Sequence, residues 1–224
     1  MKEMLEKHRI KRNVLFWGKQ ALQMIKLLLL FAIGYGVLFN LGNLSLHKIC
    51  ETAYFYGMII GIMFAFVEAI SYFSAYMPLV ISFGSTRREA VWGTQLMNLI
   101  YSSLAYVIIL LLGLLSTGKT IAWINISVAG AFLLMTGIGQ FCSVAQIRFG
   151  QKGLITGIAT AVLVAVVGII IGIGYANKLV SWAETLSVSI MTVLLTLVLA
   201  VSALFYGVSL FVLFKSVKNL EVKM

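Results

Sequence analysis

A single carboxylate set inside a long apolar run is the group in this chain best placed to do chemistry. Glu68 lies on a helical face with Gly57, Gly61, Ala65, Tyr72 and Ala75, at spacings of three and four. Counted from the inner end of its run, it lies about 18 Å deep, near mid-membrane. Buried carboxyls in lipid are costly and usually face the bundle interior. Two roles fit. Glu68 serves as a substrate or proton site, or it is a protonated or hydrogen-bonded structural residue within a packed interface. In the next apolar run Gln95, Asn98, Ser102 and Tyr106 share one face. With Glu68 and Tyr72 they could line a translocation path; the same stripe also works as interhelical glue. His8 and His47 are isolated and predicted on opposite sides, and Cys50 and Cys142 have no CxxC partner, so no metal site or disulfide is expected. No nucleophile–base pair is visible.

Residues 113–120, GLLSTGKT, fit the phosphate-binding pattern GxxxxGK[ST] letter for letter. That chemistry needs a strand before the loop and a helix after it, so that backbone amides cradle the phosphates. Here Gly113 ends an apolar span and Lys119 falls on the side away from the main basic loop. The match is read as chance, and the chain is expected to have no ATPase site, to be no enzyme and to bind no cofactor itself.

These residues are positioned by elements that can only be membrane helices. The chain has 224 residues, 61% of them hydrophobic and 11% charged, with one proline. A soluble domain averages about 45–50% apolar and about 25% charged. A span needs about 20 apolar residues, and six can be read, at 22–42, 53–81, 91–115, 121–145, 154–176 and 187–214. The runs are continuous rather than alternating, which excludes a β-barrel. The expected fold is therefore an all-α membrane protein: a cytosolic amphipathic interfacial helix at 1–20, a six-helix transmembrane domain at 21–214, and a cytosolic tail at 215–224. Gly153, Gly157, Gly168 and Gly172 read as packing positions in span five.

The net charge of +10 comes from basic residues in alternate loops, without interleaved aromatics, so nucleic acid is not the expected partner. Fourteen Lys and Arg fall on one side and three, Lys48, Lys119 and Lys178, on the other. The positive-inside rule then places both termini in the cytosol and Trp123 and Trp182 near the outer interface. Residues 1–20 alternate charged and apolar, as in a helix at the lipid surface. No small-x-small cleavage site follows the first run, which is read as an uncleaved span.

Between spans two and three lies PLVISFGSTRREA, residues 78–90. Its pattern, Pro-x5-Gly-x-Thr-Arg-Arg-Glu, with the six-span layout and the basic amphipathic start, resembles the ABC-2 type permeases, the membrane subunits of bacterial ATP-driven exporters. The resemblance implies that Gly84, Ser85, Thr86, Arg87, Arg88 and Glu89 form a coupling segment docking onto a separate ATPase. It also implies two ATPase subunits holding ATP and magnesium, a second permease as homodimer or heterodimer, and a place in the bacterial cytoplasmic membrane among its lipids. The residues themselves suit such a segment. Ser85 or Thr86 can cap a short helix, Glu89 favours its dipole, and the arginines can make charge-assisted hydrogen bonds. Unlike members with a large outer domain, this chain links spans five and six by only ANKLVSWAET. The leading expectation is an exporter subunit for a hydrophobic or amphipathic cargo, such as a peptide or antimicrobial. The alternatives are a proton-coupled carrier using Glu68 and a non-transporting membrane protein.

Overall fold

The computed structural model describes residues 2–42, 44–71, 75–82, 84–117, 122–185 and 188–221; side chains at 2–11, 13, 117, 122–124, 164–185, 188–189, 191 and 218–221 are not described. Six helices are described, in the order α1 (Lys2–Leu38), α2 (Leu46–Ser71), α3 (Met77–Ser82), α4 (Arg87–Thr117), α5 (Ala122–Thr185) and α6 (Val188–Glu221), and no strand occurs among these residues. Among the described residues, five segments are long and apolar enough to cross a membrane: Val14–Leu38, Leu46–Ser71, Arg87–Ser116, Asn125–Leu163 and Thr192–Val217. The chain is thus an all-α, multi-pass membrane protein, whose helices satisfy their own backbone groups in lipid.

The helix starts follow capping chemistry. Ser45 precedes α2, where its carbonyl accepts from Ile49 N–H at 3.0 Å and its hydroxyl from Lys48 N–H at 3.4 Å. Span two therefore begins at Leu46, seven residues before the expected 53. At the N-terminus, residues 2–20 and the first span form one helix, α1, rather than two elements.

The 64-residue α5 is not straight. Gly150 has φ 62° and ψ −147°, outside the helical region, and divides it into arms 122–149 and 151–185. The arms fold back on each other: a Cβ added at Gly157 would lie 3.2 Å from Cys142 Sγ, although those residues would be about 22 Å apart along a straight helix. This turn falls between the expected spans 121–145 and 154–176. Past Leu163 the second arm is described by its backbone alone, so five segments meet the length and apolarity required, and not six.

At the centre, α2 packs against α1, α4 and α5, while α6 lies along α5. Small residues set these approaches. Gly57, Gly61, Ala65 and Glu68 are buried on one face of α2, and a Cβ at Gly139 of α5 would come within 2.6 Å of Ala69 Cβ. Close backbone approach of this kind is how helices associate without a hydrophobic driving force. The main apolar core gathers Trp17, Leu28, Met97, Tyr101, Ile109 and Phe132.

Candidate functional site

Polar side chains meet in one layer across the bundle. On α1 and α2, Gln20 Nε2 donates to Tyr76 OH at 2.6 Å, and Tyr76 OH donates to Glu68 Oε1 at 3.2 Å. Across α4, α5 and α6, Gln95 Oε1 accepts from Gln140 Nε2 at 2.9 Å and from Tyr206 OH at 2.6 Å. Ser209 Oγ donates to Gln140 Oε1 at 2.6 Å, and Ser143 Oγ reaches the Ala69 carbonyl at 2.5 Å. Asn98 lies between the two groups. It is one turn from Tyr101, which bonds the Gly61 carbonyl of α2 at 3.0 Å, and one turn from Gln95.

The helix register sets the depth of this layer. Gly36 of α1 meets Ile49, Ala32 meets Gly57 and Leu28 meets Gly61. Continued downward, this antiparallel pairing puts Glu68 beside Ala21. Ala21 is about 10 Å from the Val14 end of span one and about 26 Å from the Leu38 end. Exposed Lys19, Gln23 and Lys26 occupy α1 at this level and the next turn. Within the bundle, Glu68 therefore lies nearer the basic end than the opposite end. The expected depth was counted along span two alone, whereas neighbouring helices extend beyond it.

Of the expected path residues, Glu68, Gln95 and Asn98 are buried in the layer. Ser102 and Tyr106 are half-buried one and two turns further along α4, outside the network. Tyr72 lies outside the described residues. Several members were missed in the sequence: Gln20, Tyr76, Gln140, Ser143, Tyr206 and Ser209. Gln20 and Gln140 carry a signal that could have found them, since each is an amide inside or bordering an apolar run. The layer has unused hydrogen-bonding capacity. Glu68 Oε2, both amide atoms of Asn98, Gln95 Nε2 and Trp17 Nε1 are buried and meet no partner. Such groups away from water cost several kcal/mol unless something satisfies them. The arrangement can therefore hold a polar guest or water, and Tyr76 holds a hydroxyl against the Glu68 carboxyl.

The basic loop is built from two interlocking caps. After α3, Gly84 turns with φ 82°. Gly84 N–H bonds Ile81 O at 2.8 Å and Ser85 N–H bonds Val80 O at 3.4 Å, the paired bonds of a Schellman ending. Thr86 then opens α4 with a capping box: Glu89 Oε2 accepts from Thr86 N–H at 2.9 Å, and Thr86 Oγ1 accepts from Glu89 N–H at 3.2 Å. The cap expected for a short helix thus heads the 31-residue α4. Ser85 is buried, Arg87 is half-buried and Arg88 is exposed. Gly84, Thr86 and Glu89 are committed to chain geometry, which leaves exposed Arg88 as the group best placed to meet a partner.

Basic residues collect at this end of the bundle. Met77, Val91, Val144, Leu213 and Val217 pack together there, so Arg87, Arg88, Arg148, Lys152 and Lys215 share one end, while Lys48 lies at the other beside Asn40, whose Nδ2 approaches the Lys48 carbonyl. In the GLLSTGKT stretch, Gly113 to Thr117 are the last turns of α4, with Gly113 against the Tyr54 ring; Gly118, Lys119 and Thr120 lie outside the described residues, as do the Trp123 and Trp182 side chains. No protein family, curated protein or solved structure matches the chain.

Proposed function

We propose that the chain is the membrane subunit of a bacterial ABC exporter of the ABC-2 type, in the cytoplasmic membrane with both termini inside, driven by a separate pair of ATPase subunits. The observation that carries this reading is the loop at 84–86. It is stiffened on both sides by caps and presents exposed Arg88, with half-buried Arg87 beside it, at the basic end, contiguous with the 31-residue α4. A push on a capped helix start is transmitted along the helix, which is what coupling to ATP-driven closure of a partner requires. A second copy, or a sister permease, would supply the other half of the path. Hydrophobic or amphipathic cargo suits the apolar bundle.

The test is Arg87→Lys plus Arg88→Lys, which keeps charge and caps but removes the planar, bidentate guanidinium. Normal insertion is expected, with weakened co-purification of the ATPase and lower substrate-stimulated ATP hydrolysis. Wild-type values for both would exclude specific arginine contacts.

A second reading has its own support in the unpartnered Oε2 of Glu68: a proton-coupled carrier. It requires transport that survives loss of any ATPase and stops when the proton gradient is collapsed. Transport that persists through gradient collapse but needs the ATPase would reject it.

A further inference from the structure

The fold-back at Gly150 creates a lateral groove of about 860 Å³ between the two arms of α5 and α6. Ala145, Gly153 and Gly157 keep its floor low, and Phe141, Phe149 and Phe205 stand as walls. Its hydroxyls do not demand water: Thr156 Oγ1 donates to Lys152 O and Thr160 Oγ1 to Thr156 O, each at 2.8 Å. The groove is therefore apolar along its length. On the second arm it runs from Lys152 to Ala161, about 14 Å, close to the roughly 15 Å hydrocarbon depth of one leaflet. Its mouth is at the basic end. Lys152 lines it, Arg148 flanks the same turn, and both are exposed. Residues 122–163 contain no Asp or Glu to offset them.

We infer that this groove holds one acyl chain of an anionic phospholipid from the leaflet on the basic side, with its phosphate at Lys152 and Arg148. Length matches the chain to a single leaflet, and charge selects the headgroup. A smooth lipid-facing helix would offer neither. The α6 surface at Leu197 and Val201, exposed and about 21 Å or more along the helix from Lys215, is the internal control. This site stands independently of the exporter reading.

The experiment uses the full chain in vesicles of phosphatidylcholine carrying either phosphatidylglycerol or phosphatidylcholine with a photoreactive acyl chain. Adducts are mapped by mass spectrometry. The anionic probe should label Phe141, Phe149 and Phe205 above Leu197 and Val201, and above the zwitterionic probe. Lys152→Gln should reduce that headgroup preference about fivefold, the effect expected of one basic residue at an anionic surface. Lys152 is exposed, so this variant should fold; Ala161→Phe, which fills the groove's far end, should lower labelling by either probe. Equal labelling by both probes, or an unchanged preference in Lys152→Gln, overturns the proposal. So does efficient self-cross-linking of a Thr156→Cys variant, which would make the groove a contact between copies of this chain.

Discussion

Replacing Gln140 by Met asks whether the polar layer holds the bundle together. Methionine keeps the length and most of the volume but removes both hydrogen bonds, the 2.9 Å bond to Gln95 Oε1 and the 2.6 Å bond from Ser209. Neither former partner is orphaned. Gln95 Oε1 still accepts from Tyr206, and Ser209 still reaches the Tyr206 carbonyl at 2.7 Å. The loss is therefore that of the bonds alone, without an added desolvation cost. Interhelical side-chain bonds in membranes average about 0.6 kcal/mol and reach about 1.7, so two should contribute about 1.2 kcal/mol and at most about 3.4. For a chain of this size each kcal/mol lowers Tm by about 2–4 °C, which gives a shift of about 2–5 °C at the average value. The assay is thermal unfolding in detergent of Gln140→Met, Gln95→Met and the double variant. Because one bond is shared, the double variant should lose less than the two singles added. Additive losses, or a Tm unchanged in Gln140→Met, would refute a structural role for the Gln95–Gln140 pair and move the layer toward cargo handling.

Gly157→Cys in a Cys50→Ser background should form a disulfide with Cys142 on oxidation, since the added Cβ would lie 3.4 Å from Cys142 Cβ and bridged Cβ atoms are about 3.5–4.5 Å apart; failure to cross-link would contradict the fold-back at Gly150. Gly93→Ala should displace the Trp17 indole, because the new Cβ would sit 1.9 Å from Nε1; a loss of about 1–3 kcal/mol and a shifted tryptophan emission are expected, and wild-type stability and emission would count against this packing. Thr86→Ala should cost about 1 kcal/mol through the lost cap while leaving insertion unchanged, as read by cysteine labelling at position 148. Glu68→Gln should keep assembly and transport if the carboxyl only accepts from Tyr76; a stable but transport-dead variant would assign Glu68 a direct role.

Helix type was legible because lipid imposes length and apolarity on each span, and the start at Thr86 carries a side chain with local capping chemistry; the start after Ser45, seven residues before the expected 53, was not read. Depth was not legible. Glu68 looked central when counted along its own run, and only the pairing of Gly36, Ala32 and Leu28 with α2 moved it toward the basic end. The polar layer was half legible for a related reason. Gln95 and Asn98 repeat at helical spacing on one element, so a single stretch of sequence displays them. Gln20, Gln140 and Tyr206 belong to three other helices, and no spacing relates residues that meet only through packing.

The loop shows how one stretch can satisfy two explanations at once. Thr86 and Glu89 are what a helix needs to start, and Gly84 is what the preceding helix needs to stop. Those three residues would be required even if nothing ever docked there. The resemblance to a coupling segment therefore rests on the arginines and on position, since neither Arg87 nor Arg88 is needed to close the capping box. That separation decides how the loop should be perturbed. Changing Thr86 or Glu89 weakens the start of α4 without removing a group that a partner would meet. Changing Arg87 and Arg88 to lysine leaves the cap and the charge in place and alters the guanidinium geometry, with Arg88→Lys alone testing the exposed group. A coupling defect confined to the lysine variants, with Thr86→Ala affecting stability but not ATPase association, is the pattern that distinguishes a docking surface from a helix cap.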